Sequence, residues 1–242
     1  MPRRSILVAT GNKKAVELLT AYFADTQSIP AVIRSPADCA DFLSKAELDF
    51  IFLDPDWIDE RNLGQFKGLK SKNPSSKWLA LGHPKVHQFP WDAEIELPID
   101  EKQFQKIIFS HVAFPKRIKL MVVDDEADII ETIRDYFEVR KDPEFEVRSA
   151  VNGLEGFKRI KEDEPHCLIL DIKMPVRTGV ELYRDLVQSG RKIPTVIFID
   201  STAAEDTLEI RKFGSPAFVE KGGNHSSMPE MLNLVRKLVA FS

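Results

Sequence analysis

The sequence predicts an α/β protein built from two tandem doubly wound sheets, each of five parallel strands. Three observations predict it. Short apolar runs bounded by Asp, Gly or Pro recur along the chain, amphipathic stretches separate them, and the alternation repeats once over about half the length. Short bounded apolar runs read as buried strands. Strands alternating with helices require parallel pairing through right-handed crossovers. A repeat of this length is a domain duplication and not a solenoid.

In the first half the strand-like runs are 5–9, 31–34, 50–53, 77–81 and 93–97; in the second they are 118–123, 144–149, 167–170, 195–199 and 217–219. Helical spacing appears in Ala15, Leu18, Leu19 and Phe23, and again in Ile129, Ile130, Ile133, Tyr136 and Phe137. The last helix is expected over 229–240, with Pro229 at its first position and Met231, Leu232, Leu234, Val235, Leu238 and Val239 on an apolar face. Residues 111–117, with Pro115 between the halves, form the expected junction. The domains are drawn as 1–115 and 116–242.

Composition narrows the function. The chain of 242 residues is 43% apolar and 30% charged, with a net charge of −4. The excess acid lies in the second half, opposite to the basic footprint of nucleic-acid binding. No apolar run approaches the roughly 18 residues of a membrane span, so no membrane insertion is expected, and a cytoplasmic location is. Cys39 and Cys167 fall in apolar patterns of different domains and read as buried small hydrophobes, not a disulfide or zinc site.

The chemistry collects in the second half. Parallel strands bring their carboxyl ends to one edge, where ligands bind. The first strand there runs into Asp124-Asp125 and the third into Asp171. Three converging carboxylates repel one another unless a cation is present, and a hard divalent ion such as Mg2+ takes oxygen ligands. Taken alone, Asp124 and Asp125 would read as helix caps; Asp171 at the matching strand end argues for a site. Lys221 ends the last strand at the same edge, where an ammonium can pair a carboxylate or a phosphoryl oxygen.

These residues stand in Val122-Val123-Asp124-Asp125-Glu126, in Ala150-Val151-Asn152-Gly153-Leu154-Glu155, and in Leu170-Asp171-Ile172-Lys173-Met174-Pro175 with Gly179; Gly214 precedes Lys221 by seven residues. In this order and spacing, 116–242 resembles the receiver domain of bacterial two-component response regulators, a flavodoxin-like fold. The resemblance implies that Asp171 accepts a phosphoryl group from a histidine kinase or a histidine phosphotransfer protein. It implies that Asp125, Asp171 and the Lys173 backbone carbonyl hold Mg2+, with Asp124 acting through water, and that Lys221 steadies the transferred group. It places Phe218 at the aromatic switch position and Lys173 and Ser201 where side chains tune the lifetime of the aspartyl phosphate.

Three positions depart from the pattern. Ile199, five residues after Pro194, stands where the family has Ser or Thr, and has no hydroxyl for a phosphoryl group; a slipped register would bring Ser201 or Thr202 there instead. Asp200 adds a negative charge where a small residue is usual, and Gly222 replaces a proline. The first half follows the same scaffold without the chemistry. Ala9 and Thr10 are expected in the places of Asp124 and Asp125, Asp54 in that of Asp171, Leu97 in that of Lys221, and Pro98 matches the family's proline, often cis. Asp54 then reads as a turn residue. About 11 residues separate Leu81 from Ala93, too few and too rich in Gly and Pro for the family's fourth helix, so Phe89 and Trp91 are expected to fill the gap or to anchor a contact.

The expected function is a signalling protein with a pseudo-receiver followed by a phosphorylatable receiver. The last helix reaches the end of the chain, so output is expected through a downstream protein partner, with a homodimer left open. No enzyme activity beyond its own phosphorylation and dephosphorylation is expected. The alternative is a scaffold in which neither domain is phosphorylated, favoured by Ile199 and Asp200. An Asp-based phosphatase of the dehalogenase-like kind would need a second Asp two residues after its nucleophile, which Asp124-Asp125-Glu126-Ala127 lacks.

Overall fold

The computed structural model describes residues 3–200, 204–222 and 227–242. Contacts divide it into two compact units, one comprising residues up to Ala113 with Phe241–Ser242, the other Phe114–Ala240. Each holds one five-stranded sheet whose ladders are all parallel.

The first unit contains β1 (Ile6–Ala9), α1 (Lys13–Phe23), β2 (Ala31–Ile33), α2 (Pro36–Lys45), β3 (Phe50–Leu53), a 3-10 turn (Pro55–Trp57), α3 (Leu63–Lys72), β4 (Lys77–Leu81), β5 (Ala93–Ile95) and α4 (Glu101–Ser110), in sheet order β2-β1-β3-β4-β5. Residues 82–92 carry no helix. Phe89 turns inward, 2% exposed, with its ring 5.4 Å from Trp78 and 4.7 Å from Trp91. Both aromatics therefore fill the space a fourth helix would cover. Asp92 fixes the segment by accepting from Lys70 Nζ at 2.6 Å and from the Trp78 N–H at 2.8 Å.

The second unit contains β6 (Arg117–Val123), α5 (Ala127–Glu138), β7 (Glu144–Ala150), α6 (Gly153–Glu162), β8 (Cys167–Asp171), α7 (Gly179–Gln188), β9 (Thr195–Ile199), α8 (Ala204–Arg211), β10 (Ala217–Glu220) and α9 (Ser227–Phe241), in order β10-β9-β8-β6-β7. Side chains alternate along β6. Ile118, Leu120 and Val122 pack under α5 and α9, while Met121 and Val123 face α6 and α7. Each fully buried apolar side chain contributes about 1.5–3 kcal/mol, so both faces are strongly held and the strand ends are fixed between them.

α9 begins two residues ahead of the expected start, so Pro229 lies inside the first turn. Its missing N–H would have no intrahelical partner there, and the helix tolerates it. Cys39 and Cys167 are both buried, and burial pushes each thiol up to about 12. Among the described residues no helix is long and apolar enough to cross a membrane.

The loop after β8 combines two opposed backbone demands. Val176 has φ 68°, a left-handed conformation that a β-branched residue adopts at a cost, and it is 81% exposed. Three residues on, a Cβ on Gly179 would lie 2.0 Å from the Asp171 carbonyl oxygen. Two substitutions should therefore act in opposite directions in urea unfolding. Val176→Gly should stabilise by about 1 kcal/mol, from relief of left-handed strain. Gly179→Ala should destabilise by about 3 kcal/mol or more, because backbone and not a flexible side chain must give way.

Candidate functional site

The register of β6 against β8 builds the site. Val123 pairs with Leu170, so the next residues, Asp124 and Asp171, emerge side by side at the carboxyl edge. Their carboxyl groups are almost closed off, with Asp124 1% and Asp171 5% exposed. Lys221 follows β10, and its N–H donates to the Ile199 carbonyl at 2.7 Å. Its side chain crosses above β9, with Nζ 5.6 Å from the centre of the Phe198 ring. It ends 2.8 Å from Asp171 Oδ1 and 3.1 Å from Asp124 Oδ2.

One ammonium thus serves two buried carboxylates. Burial raises the pKa of Asp171; the hydrogen bond and charge of Lys221 oppose the rise, and the charges of Asp124 and Asp125 add to it. Burial likewise raises Asp124 against the backbone N–H of Glu126 and the charge of Lys221. Burial also disfavours the Lys221 ammonium, but the hydrogen bond to Asp171 and the two carboxylate charges outweigh it, and its pKa lies well above that of a free lysine.

Asp125 departs from the expectation of three converging acids. It is exposed, and its influence on Asp171 is electrostatic and not a contact. Asp125 stands in a bend beyond the end of β6. The third residue at Lys221 is Glu126 instead, whose Oε1 lies 3.4 Å from Nζ. The only sequence signal for it was an acid directly after the Asp pair.

The donor set suits a hard cation in chemistry, with two acids and a backbone carbonyl, not three acids, as candidate direct ligands. Asp124 Oδ1 accepts from the Glu126 N–H at 2.9 Å. Oδ2 is buried, with an ion-pair contact to Lys221 but no aligned hydrogen bond. That leaves lone pairs of the kind a divalent ion uses. Yet among the described residues no three His, Cys, Asp or Glu groups stand at metal-ligand spacing. Lys221 supplies the positive charge in this arrangement.

The remaining expected positions surround this core. Lys173 is exposed on the loop after Asp171. Ile199 closes β9, half-buried, and packs with Phe218 against the core under α6, α7 and α8. Phe218 is half-buried beneath the Arg211 guanidinium, 4.7 Å from its ring centre, a cation–π contact that the sequence pattern did not announce. Asp200 is exposed. Ser201 and Thr202 lie outside the described residues.

At the matching edge of the first unit the register corrects the alignment by one residue. Ala9 pairs with Leu53 as Val123 pairs with Leu170, so Thr10, and not Ala9, occupies the place of Asp124, and Gly11 that of Asp125. Thr10 Oγ1 donates to Asp54 Oδ2 at 3.1 Å, and Asp54 Oδ1 accepts from the Asp56 N–H at 3.2 Å. Asp54 is a cap on the 3-10 turn. Leu97 fills the lysine position, 37% exposed, and the Leu97–Pro98 bond is cis.

Because Asp124 and Asp171 titrate above an ordinary aspartate, the folded chain holds protons that the unfolded chain has released in that interval. Their contribution to stability therefore rises as pH falls through it. Lys221→Met leaves both carboxylates unpaired. Urea unfolding at pH 7 should show a loss of about 3 kcal/mol, the scale of a broken buried ion pair. The loss should shrink as pH falls toward the ordinary aspartate range; a deficit independent of pH would contradict the arrangement.

Residues 120–233 match the family model of the response regulator receiver domain. Over 123 residues, half of this chain, the sequence is 31% identical to a protein-glutamate methylesterase/protein-glutamine glutaminase of Nocardioides sp., covering 33% of that protein. It is 34% identical over 126 residues to the corresponding protein of Halalkalibacterium halodurans, covering 51% of this chain and 35% of that one. The chain spans about a third of the length of these curated relatives. Among solved structures, the response regulator domain of Thermotoga maritima CheB is 27% identical, with a TM-score of 0.42, covering 50% of this chain and 96% of that one. Vibrio cholerae CheY4 is 26% identical, with a TM-score of 0.43, covering 49% and 98%. The second unit thus carries a match to a receiver domain of the response-regulator kind.

Proposed function

We propose that this protein is a phosphoacceptor in two-component signalling, taking a phosphoryl group on Asp171 and acting through protein contacts, with the first unit as a receiver fold stripped of its chemistry. The observation that carries the reading is the Asp124–Lys221–Asp171 bridge at the strand ends, inside the segment that matches the receiver model. A histidine kinase or a histidine phosphotransfer protein is the donor, and a downstream protein is the reader.

Asp171 needs positioning more than activation, because a carboxylate is already a nucleophile. Its oxygen attacks phosphorus in line, the phosphorus–nitrogen bond of the phosphohistidine breaks, and the imidazole leaves. Lys221, already within 2.8 Å of Asp171, moves its charge from carboxylate to phosphoryl oxygen over a short path. Asp125, Asp171 and the Lys173 carbonyl would hold Mg2+ directly, and Asp124 through water. When bound, the ion would offset charge on the phosphoryl oxygens. Glu126 keeps a second anchor on Lys221.

The methylesterase and glutaminase activities in the relatives' names form no part of the proposal, which takes from them only the receiver. A second reading, a scaffold that is never phosphorylated, is favoured by one observation: Ile199 packs inward with Phe218 and offers no hydroxyl to a phosphoryl group.

Intact mass after incubation with Mg2+ and acetyl phosphate separates the two. A single phosphoryl adduct is expected, abolished by Asp171→Asn and untouched by Asp54→Asn. An adduct that survives Asp171→Asn would sink the assignment, and an unmodified wild type would leave the scaffold.

A further inference from the structure

Among the sheet edges of the described residues, β7 is the longest, with seven residues against three in β2, three in β5 and four in β10. A long edge offers backbone groups to another strand. The ladder with β6 decides which ones. The Glu144 N–H donates to the Lys116 carbonyl, and the Ala150 carbonyl accepts from the Asp124 N–H. Glu144, Glu146, Arg148 and Ala150 therefore turn their backbone toward β6. Phe145, Val147 and Ser149 turn theirs outward. No proline interrupts the strand.

The middle of this edge is guarded. The Val147 N–H donates to Oε1 of Glu138, an exposed residue at the end of α5, at 3.1 Å. Charge adds a second condition on any incoming strand. Arg148 is exposed and stands two residues from Glu146, with which it pairs at 2.7 Å. A second β7 meets both conditions when it runs antiparallel about a two-fold axis at Val147. Phe145 then opposes Ser149 and Val147 opposes Val147 in hydrogen-bonded pairs. Glu146 opposes Arg148 in the closer pairs between them. Sliding one step either way sets Glu146 against Glu146 or Arg148 against Arg148, so the charges admit one register. Exposed ion pairs add little affinity; here they select the partner and its register, and the backbone groups supply the binding.

We propose that β7 is a self-pairing edge, that its partner is the β7 of a second copy of this chain, and that Glu138 is the guard displaced when two chains join. The contact is isologous and closes at a dimer. It goes beyond the proposed function and stands without it, since none of the residues around Asp171 takes part. A strand pair of this length is small for an interface, so the dimer is weak and depends on concentration.

The test is sedimentation equilibrium of the full chain over a wide concentration range. A concentration-dependent dimer is expected. Glu138→Ala, which uncovers the Val147 N–H in both copies, should tighten it by about tenfold. Arg148→Glu and Glu146→Arg should each weaken it by about tenfold, because like charges then face each other twice. The double variant with both changes should restore it. Ser149→Pro, which removes an outward N–H and leaves the β6 ladder intact, should abolish it. Hydrogen exchange on the unmodified chain gives an arm that needs no variant: the Phe145 and Ser149 amides should slow as concentration rises, while the Glu146 amide stays constant. Wild type and Glu138→Ala both monomeric throughout would overturn the proposal. So would a dimer indifferent to the single charge reversals, or one that the double variant fails to restore, or Phe145 and Ser149 amides that do not slow. An unrelated extended peptide that protects these amides as well as a second chain does would assign the edge to strands in general and overturn self-pairing too.

Discussion

Two buried carboxylates sharing a single ammonium is an arrangement a sheet edge does not adopt for stability. Asp124 and Asp171 each meet a desolvation cost that burial imposes on any charge. Lys221 offsets part of it, and the cluster keeps a surplus of negative charge held at fixed positions. Everything else in the second unit serves to hold those three side chains. The parallel register of β6 and β8 sets the acids abreast, and β10 delivers the lysine from two strands away. Gly179 lets the following helix begin against the Asp171 carbonyl, where any side chain would push Asp171 out of place.

The first unit shows what the same topology becomes without that charge problem. A threonine hydroxyl meets Asp54 where an acid and an ammonium meet Asp171, and Asp54 spends its oxygens on a turn. The helix that would follow β4 is replaced by Phe89 and Trp91 lying against the core. Scaffold and strand-end charge are separable: hydrophobic burial builds the sheet, and a few strand-end residues decide whether it carries a charged cluster.

Most of the scaffold was legible in the sequence because buried parallel strands leave an unambiguous mark, a short apolar run cut off by Asp, Gly or Pro. All ten strands among the described residues coincide with such runs to within a residue or two. Strand-end chemistry was legible where identity and position coincide, as for Asp124, Asp171 and Lys221. Register was less so. Placing Ala9 opposite Asp124 erred by one residue, because strand ends read from composition float until a ladder fixes them. Contacts formed by long side chains were hidden for a different reason. Glu126 on Lys221 and Arg211 on Phe218 depend on where flexible side chains reach, and spacing along the chain does not encode that. Asp125 was expected among converging acids because its type suited a ligand set; it lies exposed in the bend after β6.

Carbon-13 NMR of the aspartate carboxyl groups, followed through an acid titration, tests the shared-ammonium arrangement directly. Asp124 and Asp171 should titrate above the range of the exposed aspartates, and each should respond to the other's protonation while Lys221 keeps its proton. Two carboxyl groups titrating independently of one another, and unmoved by Lys221→Met, would mean that no such bridge exists.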